Sequence, residues 1–165
     1  MRQLARFALI VLACSLLFVP ANASQKADLV RVSKSESKLY LLNQGKAFAS
    51  FHVAFGRGGA APKEQEGDGR TPEGRYLLDS KNDRSAFYKA IHISYPSAED
   101  RARAAKLGVS AGGSVMVHGQ KNGFAWLAPI SQRFDWTNGC IALTNEDMDV
   151  VWESVDVGTP IEIQR

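Results

Sequence analysis

Short alternations of apolar and polar residues predict a chain built mostly from β-strands. In a strand, successive side chains point to opposite faces, so an alternating run indicates one buried face and one exposed face. Such runs cover residues 29–33, 38–42, 47–55, 75–78, 90–95, 114–118 and 159–163. Polar residues separate the first three runs, which predicts a hairpin followed by a second turn.

Two segments carry the signals of a helix N-terminus. Ser97 is followed by Asp100, and Thr144 by Asp147, so each N-cap residue has an acid three positions later. Gly108 lies where a helix that begins after Ser97 would end. With many short strands and two short helices, the 165 residues are predicted to form one mainly β domain, a sandwich or a barrel.

A long loop is predicted between the third and fourth runs. Residues 56–70 are rich in Gly, Lys and Glu, and loops of that length in a small domain are usually functional or mobile. The sequence GRGGAA at 56–61 has the loose form of a dinucleotide-binding motif. Pro62 and a Glu-rich loop follow it instead of a helix, which argues against nucleotide binding.

The N-terminal segment has the parts of a secretory signal peptide. Two arginines precede an apolar run at 7–19, and Ala-Asn-Ala at 21–23 supplies a cleavage signal. We therefore expect a signal peptide at 1–23 and a folded domain at 24–165, with no stable membrane insertion after cleavage. The apolar run is short for a spanning helix, which weakens the alternative of an uncleaved anchor.

The charge balance argues against a nucleic-acid partner. The chain has 20 Lys and Arg against 17 Asp and Glu, and loss of Arg2 and Arg6 with the leader leaves 18 against 17. Binding to a phosphate backbone needs a clear basic excess. Cleavage also removes Cys14, so Cys140 becomes the sole thiol of an exported protein and cannot form an internal disulfide.

Cys140 is the first candidate for chemistry. The preceding Asn138-Gly139 favours a tight bend, which can expose the next side chain and direct backbone amides at one point, as in an oxyanion site. His118 closes a predicted strand just before Gly119. There an imidazole could serve a distant thiol first as base and then as acid. The residues alone also allow a cysteine that is only a small buried hydrophobe.

These motifs resemble the L,D-transpeptidase catalytic domain, the YkuD family. In that family a strand ends in His-Gly, and after a loop come Ser or Thr, any residue, Gly, Cys and a hydrophobic residue. This chain has VMVHG at 115–119 and TNGCI at 137–141. Further segments that resemble the family are TPEGRY at 71–76, ISYP at 93–96 and SAEDRARAAKLG at 97–108. The resemblance covers about residues 28–163.

The resemblance implies a mainly β fold and a cysteine enzyme of the periplasm that needs no cofactor and acts on peptidoglycan stem peptides. Cys140 would attack the carbonyl between an L-centre and a terminal D-amino acid, normally diaminopimelate and D-Ala, and form an acyl-thioester. An amine of a second stem, a lipoprotein lysine or water would resolve it. His118 would carry the proton, and Gly119 would orient His118 through its carbonyl. The amides of Gly139 and Cys140 would bind the oxyanion. We expect a monomer.

Two positions depart from the family's pattern. Asn138 stands in place of the second His of the common Ser-His-Gly-Cys, and Ala142 in place of the Arg that commonly follows the hydrophobic residue. Because an arginine there could hold a substrate carboxylate, acceptor recognition and the fate of the acyl group stay open. The ending Gly-Cys-x-Ala is also similar to a branch that hydrolyses the lipoprotein–peptidoglycan bond. Transpeptidase and hydrolase therefore remain alternatives.

Other residues are candidates for the substrate groove. Trp136, Thr137, Asn138 and His92 are predicted to contact substrate, although Trp136 also suits core packing and His92 lies within a strand. Arg84 could bind a stem carboxylate, but a surface role is favoured. No paired His or Cys spacing predicts a metal site. Two rival functions are an inactive peptidoglycan-binding domain and a redox or metal protein that uses the free thiol.

Overall fold

A computed structural model describes residues 25–165, and its dominant element is one curled, mixed sheet. Within these residues the eight strands are β1 Leu29–Ser33, β2 Lys38–Asn43, β3 Lys46–His52, β4 Gly74–Ser85, β5 Tyr88–Ile93, β6 Met116–His118, β7 Ile141–Ala142 and β8 Thr159–Gln164. The helices of this part of the chain are α1 Ala98–Lys106, α2 Ala128–Ser131 and α3 Asn145–Ser154, with a 3₁₀ turn at Ala125–Leu127. The strands lie in the order β3-β2-β1-β8-β4-β5-β6-β7.

The two edges of this sheet meet. Just beyond β3, Ala54 forms an antiparallel bridge with Ala142 of β7. The Ala54 amide donates to the Ala142 carbonyl at 3.0 Å, and the Ala142 amide donates to the Ala54 carbonyl at 2.9 Å. Closure of this kind pairs backbone groups that an open edge would leave exposed. The predicted mainly β sandwich or barrel is therefore confirmed, as a sheet curled until its edges touch.

Alternation along the strands fills the interior. The buried apolar side chains include Val30 and Val32, Leu39 and Leu41, Ile91 and Ile93, Ile161 and Ile163, at 0–2 % exposure. Each pair is spaced two residues apart, so both members point to the same face. Burying one such side chain contributes about 1.5–3 kcal/mol. Met148 and Val151 of α3 are buried in the same core cluster.

Both predicted helices begin where their caps indicate. The Ser97 hydroxyl accepts from the Asp100 amide at 3.1 Å, and the Asp100 carboxylate accepts from the Ser97 amide at 2.9 Å, which completes a capping box. Gly108 follows the C-cap with φ +69°. Thr144 caps α3 by accepting from the Asp147 amide at 3.1 Å. Caps of this kind each contribute about 1 kcal/mol.

The structure also has elements that the pattern did not predict. Strand β4 continues to Ser85 beyond the predicted 75–78, because its polar second half is held by pairing with β5 across two register shifts. Strand β7 has only two residues, and helix α2 only four, so neither carries a periodicity of its own. In residues 25–165 no helix is long and apolar enough to cross a bilayer. The predicted signal peptide at 1–23 lies outside the described residues.

Candidate active site

Two neighbouring strands bring His118 and Cys140 to the same cavity. Strand β6 ends at His118 and pairs in parallel with β7, which begins directly after Cys140. The register places Val117 opposite Ile141 and His118 opposite Ala142. Neighbouring strands lie about 4.8 Å apart, so a thiol one residue before β7 is within reach of side chains on β6.

We name this space the catalytic cavity, after the reaction that His118 and Cys140 are predicted to carry out. Its volume is about 390 Å³. It is lined by Asn82, Arg84, Ser85, Ala86, Phe87, Ser114, Met116, His118, Trp136, Thr137, Asn138 and Cys140. The lining combines the β4–β5 hairpin with the end of β6 and the turn before β7.

The proton positions of His118 follow from its hydrogen bond. Nδ1 lies 2.6 Å from the carbonyl oxygen of Gly119. Because a carbonyl only accepts, Nδ1 carries the proton, and in the neutral ring Nε2 is the basic nitrogen. The backbone around the ring is fixed as well, since the His118 carbonyl accepts from Leu143 at 2.9 Å and the Gly119 amide donates to Lys89 at 3.2 Å.

Aromatic rings enclose the imidazole. The centroid of Phe87 lies 4.7 Å from that of His118, and Trp136 meets His118 edge-on at 5.8 Å. His118 is only 4 % exposed. Burial lowers the pKa of His118 below its ordinary 6.5, and the hydrogen bond to Gly119 opposes this only in part. The ring is therefore neutral at neutral pH, as a general base must be.

The thiol of Cys140 is held in its protonated form. Sγ lies 3.7 Å from the carbonyl oxygen of Ser114. Burial raises the pKa of Cys140 above its ordinary 9.0, while a hydrogen bond from the Met116 backbone and the charge of Lys63 lower it. With a neutral imidazole lining the same cavity, the resting state of the two groups is thiol and imidazole. The proton would then move only during attack on a substrate.

Lys63 comes from the long loop that the sequence predicts at residues 56–70. Its side chain is buried, and its ammonium donates to Asp68 at 2.8 Å and to the Gln65 carbonyl at 3.0 Å. The loop thus buries an ion pair between Lys63 and Asp68, close to the turn that carries Cys140. Most of the loop is exposed, and the buried Lys63–Asp68 pair is an exception that a Gly-rich, charged composition does not reveal.

The bend before Cys140 requires glycine. Gly139 has φ +121°, and a Cβ there would lie 2.6 Å from the Arg70 carbonyl oxygen. A Cβ on Gly56 would lie 2.8 Å from the Gly139 Cα. Two backbone segments therefore approach the bend more closely than a side chain allows.

The Thr137 hydroxyl braces the same bend. It donates to the Cys140 carbonyl at 2.8 Å and accepts from the Gly139 amide at 3.1 Å. The Gly139 amide, predicted as an oxyanion donor, is thus already engaged. The Cys140 amide is the remaining one of the two predicted donors. Thr137 itself is 4 % exposed, so its role in the structure is to hold the turn.

The structure gathers most of the predicted site residues. Trp136, Thr137 and Asn138 line the catalytic cavity beside the histidine and the cysteine. His92 lies outside the cavity, and its Nδ1 is 2.7 Å from a carboxylate oxygen of Asp79. In β5 the residue that pairs with His118 is Ala90, and His92 is two positions further along the strand. The geometry therefore gives no support to substrate contact by His92.

Several residues that line the cavity were not predicted from the sequence to belong to the site. Phe87 and Met116 line the cavity and belong to no chemical motif, and Phe87 was not predicted to be in a strand or helix. For Met116, the alternation of the strand predicted that its side chain lies on the same face as His118. For Phe87, the sequence had no such signal. Arg84, expected on the surface, is exposed and also lines the cavity. In residues 25–165, no group of three or more His, Cys, Asp or Glu side chains is placed to hold a metal ion.

Comparison with known proteins gives the family. The model of the L,D-transpeptidase catalytic domain, YkuD, matches residues 27–163. A protein of Escherichia coli K12 named "Putative L,D-transpeptidase YafK" is 29 % identical over 132 residues, which cover 76 % of this chain and 46 % of that relative. The chain thus spans about half the length of the curated relatives it matches.

Solved structures share the fold. The helical cell shape determining protein Pgp2 of Campylobacter jejuni is 22 % identical with a TM-score of 0.64, over 83 % of this chain and 47 % of that one. An L,D-transpeptidase of Mycobacterium tuberculosis is 19 % identical with a TM-score of 0.55, over 83 % and 57 %. Because the family model spans nearly the whole described chain, the protein belongs to the L,D-transpeptidase catalytic domain (YkuD) family.

Proposed function

We propose that the protein is a cysteine acyltransferase that acts on peptidoglycan stem peptides through a thioester on Cys140. One observation carries the proposal. His118 and Cys140 line the same cavity, and the Gly119 carbonyl fixes the imidazole so that Nε2 is the basic nitrogen. A thiol beside a neutral, oriented imidazole is the arrangement that nucleophilic acyl transfer requires.

The first half-reaction transfers the acyl group to sulfur. Nε2 of His118 takes the thiol proton as Cys140 Sγ attacks the carbonyl before the terminal D-amino acid. The carbonyl oxygen becomes an oxyanion. Its proposed hydrogen-bond donor is the Cys140 amide, because the Gly139 amide already donates to Thr137. The C–N bond then breaks, and the imidazolium returns its proton to the leaving amine. Losing one oxyanion donor typically raises the barrier by about 2.7–4 kcal/mol.

Arg84 is proposed to bind the carboxylate of the donor stem. The position where the family commonly has arginine is Ala142, which is fully buried in the seam against Ala54. Arg84 lines the cavity from the β4–β5 hairpin and supplies a guanidinium for a carboxylate.

Hydrolysis of the same thioester is the second candidate. An amine acceptor carries positive charge before it reacts, and a carboxylate beside the thioester would attract it. The described residues that line the catalytic cavity include Arg84 and no Asp or Glu. Water needs no such recognition, and His118 can activate it as it would activate an amine.

We further propose a periplasmic location, reached through the leader at 1–23. The proposed partners are stem peptides of the cell wall and, if an amine of a protein is the acceptor, an outer-membrane lipoprotein. The catalytic unit is proposed to act as a monomer, because the catalytic cavity is formed within one chain.

Incubation with purified sacculi tests the function. Muropeptide analysis is expected to show a Cys140-dependent change, with new 3–3 cross-links for the transferase, or trimmed stems or released lipoprotein for the hydrolase. The Cys140→Ala variant is the control and should leave the sacculi unchanged. Unchanged sacculi with wild-type protein, together with no carbapenem adduct on Cys140 by intact mass, would contradict the proposed activity and leave the two rivals, an inactive binding domain and a redox or metal protein.

A further inference from the structure

A second cavity lies away from the chemistry. Its volume is about 760 Å³, and it shares no lining residue with the catalytic cavity. Ligand pockets in proteins range over roughly 300–1,000 Å³. The residues that define it here are His52, Trp126, Gln132, Arg133, Glu146 and Asp147. We name it the Trp126 cavity.

Gln132 is the unusual residue of this cavity. It is only 8 % exposed, yet both atoms of its side-chain amide are buried without a hydrogen-bond partner. Its backbone is held, because its carbonyl oxygen accepts from Nε2 of His52 at 2.7 Å. An orphaned buried amide lowers the stability of the fold, and most buried polar groups in proteins are satisfied. The two amide atoms are closed off from solvent, so the side chain must turn toward the cavity before a ligand can supply the missing donor and acceptor.

Trp126 supplies an apolar surface at the same cavity. It is 73 % exposed, an unusual position for so large a ring. Pro129 and Ala125 extend the apolar lining, and Arg133, Glu146 and Asp147 add hydrogen-bonding groups. Within the described residues, these three charged side chains take part in no hydrogen bond or ion pair.

This combination fits a saccharide better than other ligands. A sugar ring has an apolar C–H face, which packs on an aromatic ring, and equatorial polar groups, which pair with planar amide, carboxylate and guanidinium groups. An N-acetyl group offers one donor and one acceptor, which matches the Gln132 amide. An apolar peptide would leave that amide unpaired. Two acids against one arginine disfavour an anionic lipid surface or a phosphate ligand.

We propose that the Trp126 cavity binds an N-acetylated sugar of a glycan strand, with Trp126 stacked on the ring and Gln132 paired with the acetamido group. The proposal extends the proposed function, because a glycan carries the stem peptides on which the catalytic cavity would act. It does not depend on Cys140, so the two ideas can fail separately.

Calorimetric titration of the full chain with the β-1,4-linked hexamer of N-acetylglucosamine tests the site. The Cys140→Ala protein is used, so that no turnover contributes heat. Trp126→Ala is expected to weaken binding at least tenfold. The matched control is Phe134→Ala, which removes a ring that is 65 % exposed and does not line the cavity. Equal binding by the Trp126→Ala protein would overturn the proposal.

Gln132→Met separates a ligand role from a structural one. The substitution keeps the length of the side chain and removes the orphaned amide. We expect Tm to stay the same or to rise, hexamer affinity to fall about fivefold, and preference for the hexamer over cellohexaose to disappear. A lower Tm with unchanged affinity would mean that the amide serves the fold through an internal water, and would overturn the proposal.

The outcomes distinguish the two ideas. If the hexamer binds as described and sacculi stay unchanged by the wild-type protein, the glycan site stands and the proposed enzyme activity fails. If sacculi are modified and the hexamer shows no binding at millimolar concentration, the glycan site fails and the enzyme activity stands.

Discussion

The two cavities of this protein differ in which of their buried polar groups are paired. In the catalytic cavity, the His118 Nδ1, the Gly139 amide and the Thr137 hydroxyl each have a hydrogen-bond partner within the protein. The indole Nε1 of Trp136 in that cavity has no partner, and in the Trp126 cavity neither atom of the Gln132 side-chain amide has one. A reacting site must fix each proton before substrate arrives, since misplacement raises the barrier. A recognition site must keep groups unpaired until the ligand pairs them.

Removing the thiol is the largest expected effect. Cys140→Ala should abolish turnover of stem peptides and formation of any carbapenem adduct, because Cys140 is the only thiol in residues 25–165 and the hydroxyl groups of the cavity are far weaker nucleophiles. Tm should change little, since the side chain is small and only half-buried. Intact mass and thermal unfolding measure the two results. Residual turnover in the Cys140→Ala protein would contradict the assignment of the reaction to the catalytic cavity.

Removing the base comes next. His118→Gln keeps a donor toward the Gly119 carbonyl but loses Nε2 as a base, so the rate of Cys140 acylation should fall about 10²–10⁴-fold at neutral pH. Stopped-flow acylation by a carbapenem measures the rate. His92→Gln is the control, because His92 lies outside the cavity and its loss should leave the rate within about twofold. An undiminished rate in His118→Gln contradicts the base assignment.

The bend before the thiol should be intolerant of a side chain. Gly139→Ala combines a positive φ with a Cβ 2.6 Å from a carbonyl oxygen and should lower the free energy of unfolding by about 3 kcal/mol. Gly123→Ala is the matched control, because Gly123 also has a positive φ but open space around it. It should cost only about 1 kcal/mol. Equal losses in urea unfolding would show that crowding at the bend is not decisive.

The buried imidazole should make stability depend on pH. In the folded state the pKa of His118 lies below 6.5. As the pH falls through 6.5, the unfolded chain therefore binds a proton at His118 before the folded chain does. Stability should therefore fall as the pH drops through 6.5, by at most about 1.4 kcal/mol per pH unit from this group. Urea unfolding between pH 7.5 and 5 measures the slope. His118→Gln should flatten it, and an unchanged slope would assign the effect to other groups.

Truncating the exposed ring should have the smallest effect on the fold. Trp126→Ala should change the free energy of unfolding by less than about 0.5 kcal/mol, because an exposed side chain loses little burial. Turnover of a soluble tetrapeptide should be unchanged, while turnover on intact sacculi should fall. Equal losses on both substrates would show that the ring supports the catalytic cavity rather than a separate site.

Much of the fold could be predicted because its signals are local. The β1–β2 hairpin, the caps at Ser97 and Thr144 and the strand that ends at His118 each depend on neighbours within a few positions. The two-residue strand β7 carries no such signal, since it exists only where β6 and Ala54 pair with it. The inward-facing Lys63–Asp68 pair also depends on contacts that a loop composition does not report.

By itself, the sequence determined which groups could react: a lone thiol after an Asn-Gly bend, and a histidine that closes a strand before glycine. Only the tertiary structure decided that these groups share a cavity, that the Thr137 hydroxyl occupies the Gly139 amide, and that His92 lies elsewhere. The reason is physical. Chemical reactivity and backbone preference are properties of individual residues. The distance between two groups is set by strand pairing and closure of the sheet, which join positions 24 to 88 residues apart.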